Sequence, residues 1–407
     1  MSGQGALSDI HILEFGGFAA GPSISKELAD YGAEVIRVES GTRPDGFRTN
    51  YPPFKDNIPG LNRGGLFALC NNNKMSITLN LRVPEALEVA LRLVTEWTDV
   101  ILENMTPGTI ARLGLGYERL SALKPGLTMI SSCNQGQTGP HASHPGFGSH
   151  LSSLAGFTNV TGFPDGPPTL TYGPYIDYIA AGYGTLAVLA ALEYRQRTGR
   201  GQYIDLSQYE AGLQFMIPAL LEAGASGQAI GRIGNRDRSA APHGVFPCRG
   251  NDEWCAISVW SDQEWQRLVA AMGSPPWALD PALATFGGRK AREDELERWV
   301  SEWTVVFTPE DLADRLQEAG VHAAPVNDMA DLFTDPQLVH RGQWWPVDHA
   351  EMGHHHHKAP PFLLSDTPAE LRLPAPCLGE HTEHVLREIV GLSQAEIDAL
   401  AAKGGLT

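Results

Sequence analysis

Two stretches of this chain have residue types that could do chemistry. Gly16-Gly17-Phe18-Ala19-Ala20-Gly21-Pro22 follows the apolar run His11 to Phe15 and opens a helix-patterned stretch from Ser23 to Tyr31. At such a junction free backbone N–H groups and the helix dipole attract a phosphate or carboxylate. The spacing is not G-x-G-x-x-G and no Gly-Lys-Ser/Thr follows, so nicotinamide binding and Walker-type nucleotide hydrolysis lose their main support. Taken alone, the run reads as a tight turn. The second stretch is His354-His355-His356-His357. Four adjacent side chains project in different directions on any regular element, so one metal site from all four is not expected, and the run reads as a solvated loop.

The elements around these stretches set their context. A length of 407 residues exceeds the roughly 250–300 that one hydrophobic core serves, which predicts two lobes. The strand-like His11–Phe15, Val35–Glu39, Ser76–Leu79, Val100–Glu103 and Thr128–Ser132 alternate with helical patterns, among them Pro84 to Thr95. That rhythm predicts a parallel, helix-covered sheet. From Tyr178 to Ala225 the pattern is mostly helical and reads as a long connection out of the first lobe. Gly231 to Ser258 is rich in turns and short strands, and Asp262 to Ala319 is helical with Trp265, Trp299 and Trp303. The tail ends in an amphipathic helix, Ser393 to Ala402, where Ser393 and Glu396 form a capping-box pattern.

A formal charge of −17 leaves no sequence-wide drive toward nucleic acid or anionic membranes. Any anionic ligand must meet a local basic pocket. The longest apolar candidate, Ile176 to Tyr194, is interrupted by Gly182 and Gly184 and reads as a buried helix rather than a span. Five scattered cysteines, with no C-x-x-C pair and no secretory leader before them, point to a reducing cytoplasm.

Further motifs carry a resemblance. Leu28-Ala29-Asp30-Tyr31-Gly32-Ala33-Glu34-Val35-Ile36-Arg37-Val38-Glu39, Asn73-Lys74-Met75-Ser76-Ile77, Glu103-Asn104-Met105-Thr106-Pro107-Gly108, Gly136-Gln137-Thr138-Gly139-Pro140 and Thr198-Gly199-Arg200-Gly201-Gln202 occur in one order. In that order the chain resembles the family III coenzyme A transferases along nearly its whole length. The resemblance implies a large Rossmann-like lobe over residues 1–190, a helical linker over 191–225, a small α+β lobe over 226–325, and a segment 326–407 returning to the large lobe. It also implies two chains interlocked like links. Coenzyme A or acyl-CoA would be a substrate rather than a held cofactor, lying near Phe18, Ala19, Ala20, Asn73, Lys74, Asn104, Met105 and Arg112. Lys74 and Arg112 would meet its phosphates. Where family members often carry an arginine after the second strand, this chain has Ser40.

The family's chemistry uses an aspartate that attacks the thioester. In the pattern that the resemblance aligns, that residue falls in Pro145-Gly146-Phe147-Gly148-Ser149-His150, and Gly148 stands at its place. This implies a subunit without the nucleophile, working with a paralogous partner that carries the aspartate. Succinyl-CoA would be the donor and an organic carboxylate such as benzylsuccinate the acceptor, as in anaerobic toluene breakdown. Ser149 or His150 as substitutes, a homodimeric acyl-CoA racemase, isomerase or lyase using Asp177 or a histidine as base, and a non-catalytic CoA-binding regulator are the alternatives.

Overall fold

The computed structural model describes residues 5–407, which divide into two compact units. The first comprises the chain up to Phe157, Leu170–Gln228 and Val339–Thr407. Its centre is a six-stranded parallel sheet of β1 (His11–Phe15), β2 (Glu34–Glu39), β3 (Lys74–Thr78), β4 (Val100–Glu103), β5 (Thr128–Cys133) and β6 (Tyr203–Ser207), in the order β3-β2-β1-β4-β5-β6. This is the doubly wound, Rossmann-like order. Covered on both faces, β1, β2, β4 and β5 are buried along almost their whole length, and the charged side chains on them must find partners inside.

Alternation along the strands divides the core in two. Leu13, Ile36, Ile77, Ile101 and Met129 face the helix Pro84–Glu96 and the C-terminal residues Val385, Leu386, Ile397 and Leu400. Ile12, Val35, Val100 and Ile130 face Ile24 and Leu28 of the helix Ala20–Asp30 and Ala181 and Val188 of the helix Tyr175–Thr198. The C-terminal helix Gln394–Ala402 starts with both hydrogen bonds of its capping box, between Ser393 and Glu396.

The helix Tyr175–Thr198 corrects two expectations. It runs unbroken through Gly182 and Gly184, because a Cβ at 184 would overlap Ile24 and the missing side chain lets the two helices approach. It is also buried on one stripe alone, through Ile176, Ala180, Ala181, Gly184, Val188 and Ala191, while Tyr183, Leu186 and Leu189 are exposed. Among the described residues it is the one helix long and apolar enough to cross a membrane. The stretch 191–225, read as a linker, lies within the first unit and contains β6.

The second unit comprises Thr158–Thr169 and Ala229–Leu338. An antiparallel sheet of β7 (His243–Pro247), β8 (Trp254–Ser258) and β9 (His322–Pro325) packs with the helices Asp262–Ala271, Glu293–Thr304 and Pro309–Glu318 around Trp265, Leu268, Leu296, Val300, Leu312 and Leu316. Ser261 and Thr308 cap two of these helices through their hydroxyls.

After it the chain rejoins the first unit as a hairpin of β10 (Trp344–His349) and β11 (Gly353–Lys358). The histidine run is therefore a strand and not a solvated loop. Period-two alternation turns His354 and His356 outward and His355 and His357 to the other face, where burial lowers His357 to about 3 and keeps it neutral. Among the described residues no group of three or more His, Cys, Asp or Glu side chains is placed to hold a metal ion.

Candidate active site

In an open parallel sheet a ligand lies beyond the carboxyl ends of the strands, where the strand order reverses. Here that point falls between β1 and β4. Asn104, just after β4, accepts the N–H of Gly17 on Oδ1 at 2.8 Å and donates from Nδ2 to the Gly17 carbonyl at 2.8 Å. The clamp explains two glycines, since a Cβ at Gly16 would stand 2.8 Å from Asn104 Oδ1 and one at Gly21 2.7 Å from Asn104 Cγ. Phe18 follows at φ +59°, a conformation that costs a bulky residue energy. Its N–H donates to both carboxylate oxygens of Asp45, at 3.1 and 3.2 Å. Its ring stands edge-on to Phe47, Tyr51 and Phe147 at centroid distances of 5.5, 5.9 and 5.8 Å.

Beneath this loop lies a buried ionic lattice. Arg37 grips Asp45 and also pairs with Glu14, and Glu14 pairs with Lys74 at 2.9 Å. Arg48 forks onto Glu39 at 3.0 and 2.8 Å. Buried carboxylates are tolerated when cations meet them on several sides. Burial opposes ionisation of Glu14 but is outweighed by Lys74 and Arg37, leaving the carboxyl below its usual range. Glu39, likewise buried but held by Arg37 and Arg48, falls to about 2. The lattice fixes Asp45, and Asp45 fixes Phe18.

Residue 148 opens the short helix Gly148–Leu154 and is buried. A Cβ there would overlap Pro174 and stand 2.7 Å from Asp177 Oδ1. The room that a side chain at 148 would need is thus filled by Asp177, in the first turn of the helix Tyr175–Thr198. Among the described residues no cation pairs with the Asp177 carboxyl, and burial alone raises it to about 7. A half-buried carboxyl shifted by desolvation, with no cation beside it among the described residues, is of the kind that functional sites use. His150 does not assist Ser149, because its Nδ1 accepts the Phe147 N–H at 3.2 Å.

The residues carried over from the resemblance divide accordingly. Phe18 and Asn104 meet at the switch point, and Arg112 is exposed at the end of Thr109–Arg112, donating to Thr109 Oγ1 at 2.8 Å. Lys74 is wholly buried, and its ammonium donates to Glu14, the Pro22 carbonyl and Asn71 Oδ1. It has no donor left for a phosphate. Asn73, at φ +61°, accepts the N–H groups of Arg372 and Leu373 and donates to Asp30 and the Glu370 carbonyl, fastening the C-terminal segment. Ala19 and Ala20 are buried at the start of the helix Ala20–Asp30, and Met105 donates its N–H to Glu103. Sequence reasoning missed Glu14, Arg37 and Asp45. Alternating Arg37 and Glu39 within an otherwise apolar strand were the available signal, since buried charges on one strand need partners.

Fold and site together define an α/β protein of doubly wound type with a desolvated carboxyl packed against Gly148. The sequence profile of CoA-transferase family III matches residues 7–382, and the chain belongs to that family. It is similar to the succinyl-CoA–D-citramalate CoA-transferase of Chloroflexus aurantiacus, 35% identical over 398 residues that cover 98% of this chain and 97% of that one. It is also similar to the beta subunit of that organism's succinyl-CoA–L-malate CoA-transferase, at 33% identity over 98% of this chain and 97% of the subunit. Among solved structures, a CAIB/BAIF family protein from Brucella suis superposes with a TM-score of 0.87 at 32% identity, covering 95% of this chain and 100% of that one. The protein is a family III CoA-transferase, an enzyme that acts on an acyl-CoA and a carboxylate.

Proposed function

We propose that this chain transfers CoA from succinyl-CoA to a second organic carboxylate and that Asp177 is its nucleophile. The observation that carries this is the Asp177 carboxyl in the space a side chain at 148 would take, raised to about 7 by burial and paired with no cation among the described residues. The Asp177 carboxylate attacks the thioester carbonyl, forming an acyl-aspartyl anhydride and releasing CoA as thiolate. The thiolate then attacks the aspartyl carbonyl, releasing succinate and leaving an aspartyl-CoA thioester. The acceptor carboxylate repeats both steps in reverse order, leaves as its own CoA thioester and restores Asp177. A basic carboxylate is the better nucleophile, which is what desolvation provides. The two relatives' names, for D-citramalate and L-malate, support a dicarboxylate or a substituted succinate such as benzylsuccinate as acceptor.

A second reading keeps the chain as a subunit beside a paralogue that supplies the aspartate, and the subunit name of one relative favours it. In either reading a second chain, interlocked with this one, covers the exposed apolar stripe of the helix Tyr175–Thr198. One experiment separates the readings: the purified chain is incubated alone with succinyl-CoA and a panel of D-citramalate, L-malate and benzylsuccinate, then quenched with hydroxylamine. Transfer by the chain alone, with a hydroxamate mapped to Asp177 and no transfer by Asp177→Asn, is the expected result. Activity that appears only when the paralogue is added establishes the subunit reading, and an adduct mapped elsewhere removes Asp177.

A further inference from the structure

The rings around Phe18 exceed what packing of the loop requires. Tyr51 and Phe147 are 39% and 54% exposed, yet they join Phe18 and Phe47 in four edge-on contacts. Phe147 immediately precedes Gly148, the residue against which the Asp177 carboxyl lies. Phe18 is aimed into the group at a cost, its backbone at φ +59° held by Asp45. Gly46 leaves the space the ring takes, since a Cβ there would come within 2.5 Å of Phe18 Cε1. The cations of the neighbourhood turn away from this face: Arg37 and Arg48 lie over Phe67, 5.3 and 3.5 Å from its centroid, inside the ionic lattice. With Arg37 and Arg48 engaged in the lattice, an aromatic edge that reaches Phe147, next to the residue packed on Asp177, suits an aryl or bulky apolar group on the acceptor.

We propose that Phe18, Tyr51 and Phe147 form a specificity wall beside Asp177 that selects acceptor carboxylates bearing an aryl or bulky apolar substituent over four-carbon dicarboxylates that lack one. The proposal rests on the reading of Asp177 as the reacting group. An apolar wall discriminates by about ten- to a hundredfold.

The test compares kcat/KM for benzylsuccinate and for L-malate as acceptors in the native chain, Phe147→Ala and Tyr51→Ser. Both rings are exposed, so circular dichroism is expected to show both variants folded. The expected result is a benzylsuccinate preference of roughly tenfold or more that falls toward unity in each variant. A second arm needs no chemistry: calorimetry of benzylsuccinyl-CoA, succinyl-CoA and free CoA on Asp177→Asn. Tighter binding of the aryl thioester there supports the wall even where the hydroxylamine experiment places the nucleophile elsewhere. Equal binding of the two thioesters, or no acceptor preference in the native chain, overturns it. So does a Phe147→Ala variant that loses free CoA and both thioesters to the same extent, which assigns the rings to CoA itself.

Discussion

Gly148 and Asp177 share one space: a Cβ at 148 would stand 2.7 Å from Asp177 Oδ1 and inside Pro174. The constraint is steric and not conformational, since Gly148 is absent from the glycines at positive φ. With Asp177 as the proposed nucleophile, a carboxylate introduced at 148 does not add a second one but displaces Asp177. Gly148→Ala and Gly148→Asp are both expected to lower kcat by about a hundredfold, the usual consequence of moving a reacting group by an ångström. Steady-state kinetics check this, and a Gly148→Asp enzyme as active as the native chain would mean that Asp177 is not the reacting group.

Asp177 also sets a pH dependence of stability. Its carboxyl is raised from an ordinary value near 4 to about 7 in the folded chain, so between these limits the folded state holds a proton that the unfolded state has lost. Stability through this group is therefore undiminished below about 4, declines as pH rises, and reaches its full loss above about 7. Asp177→Asn is expected to melt higher than the native chain at pH 8, with the difference vanishing near pH 4. Thermal melts across that range read it directly. A native chain that melts at or above the variant at pH 8 would show the carboxylate to be paired.

Lys74 and Arg112 are expected to separate cleanly. Removing Lys74 leaves Glu14 buried with one cation fewer, and breaking a buried pair costs about 3–5 kcal/mol. Lys74→Met should show that loss in urea unfolding. Arg112→Ala removes an exposed guanidinium and should leave the unfolding midpoint in place while weakening CoA in calorimetry. Calorimetry and unfolding on the two single variants decide the matter. Loss of CoA affinity in a fully stable Lys74→Met would return Lys74 to the phosphate site.

The exposed apolar stripe makes a prediction about assembly. Leu186 is 62% exposed on the helix Tyr175–Thr198 and Leu221 68% exposed on the helix Ile217–Ser226, both of them mostly apolar. Exposed apolar helix faces mark interaction sites, and in the proposed interlocked assembly a second chain covers these. Sedimentation of the native protein at micromolar concentration should show a dimer or larger, and Leu186→Glu with Leu221→Glu should shift it toward monomer. A native monomer would rule out the interlocked assembly.

The alternation of strands and helices, the turn after β1 and the closing capping box were all legible in the residues, because each depends on neighbours within a few positions along the chain. Periodicity also placed the helix Tyr175–Thr198, though its glycines looked like breaks until Ile24 was seen against Gly184. The histidine run misled for a related reason: a strand is defined by its partner, and β11 acquires its alternation from pairing with β10. Lys74 reads the same in sequence whether its ammonium meets a phosphate or Glu14, sixty residues away along the chain. The exchange of places between Gly148 and Asp177 lies further still from local pattern. By itself the sequence determined the family and the alternation of strands and helices that builds the parallel sheet. Which carboxyl lies against Gly148 was decided by packing between a loop and a helix 29 residues apart, and only the tertiary structure brings these into one space.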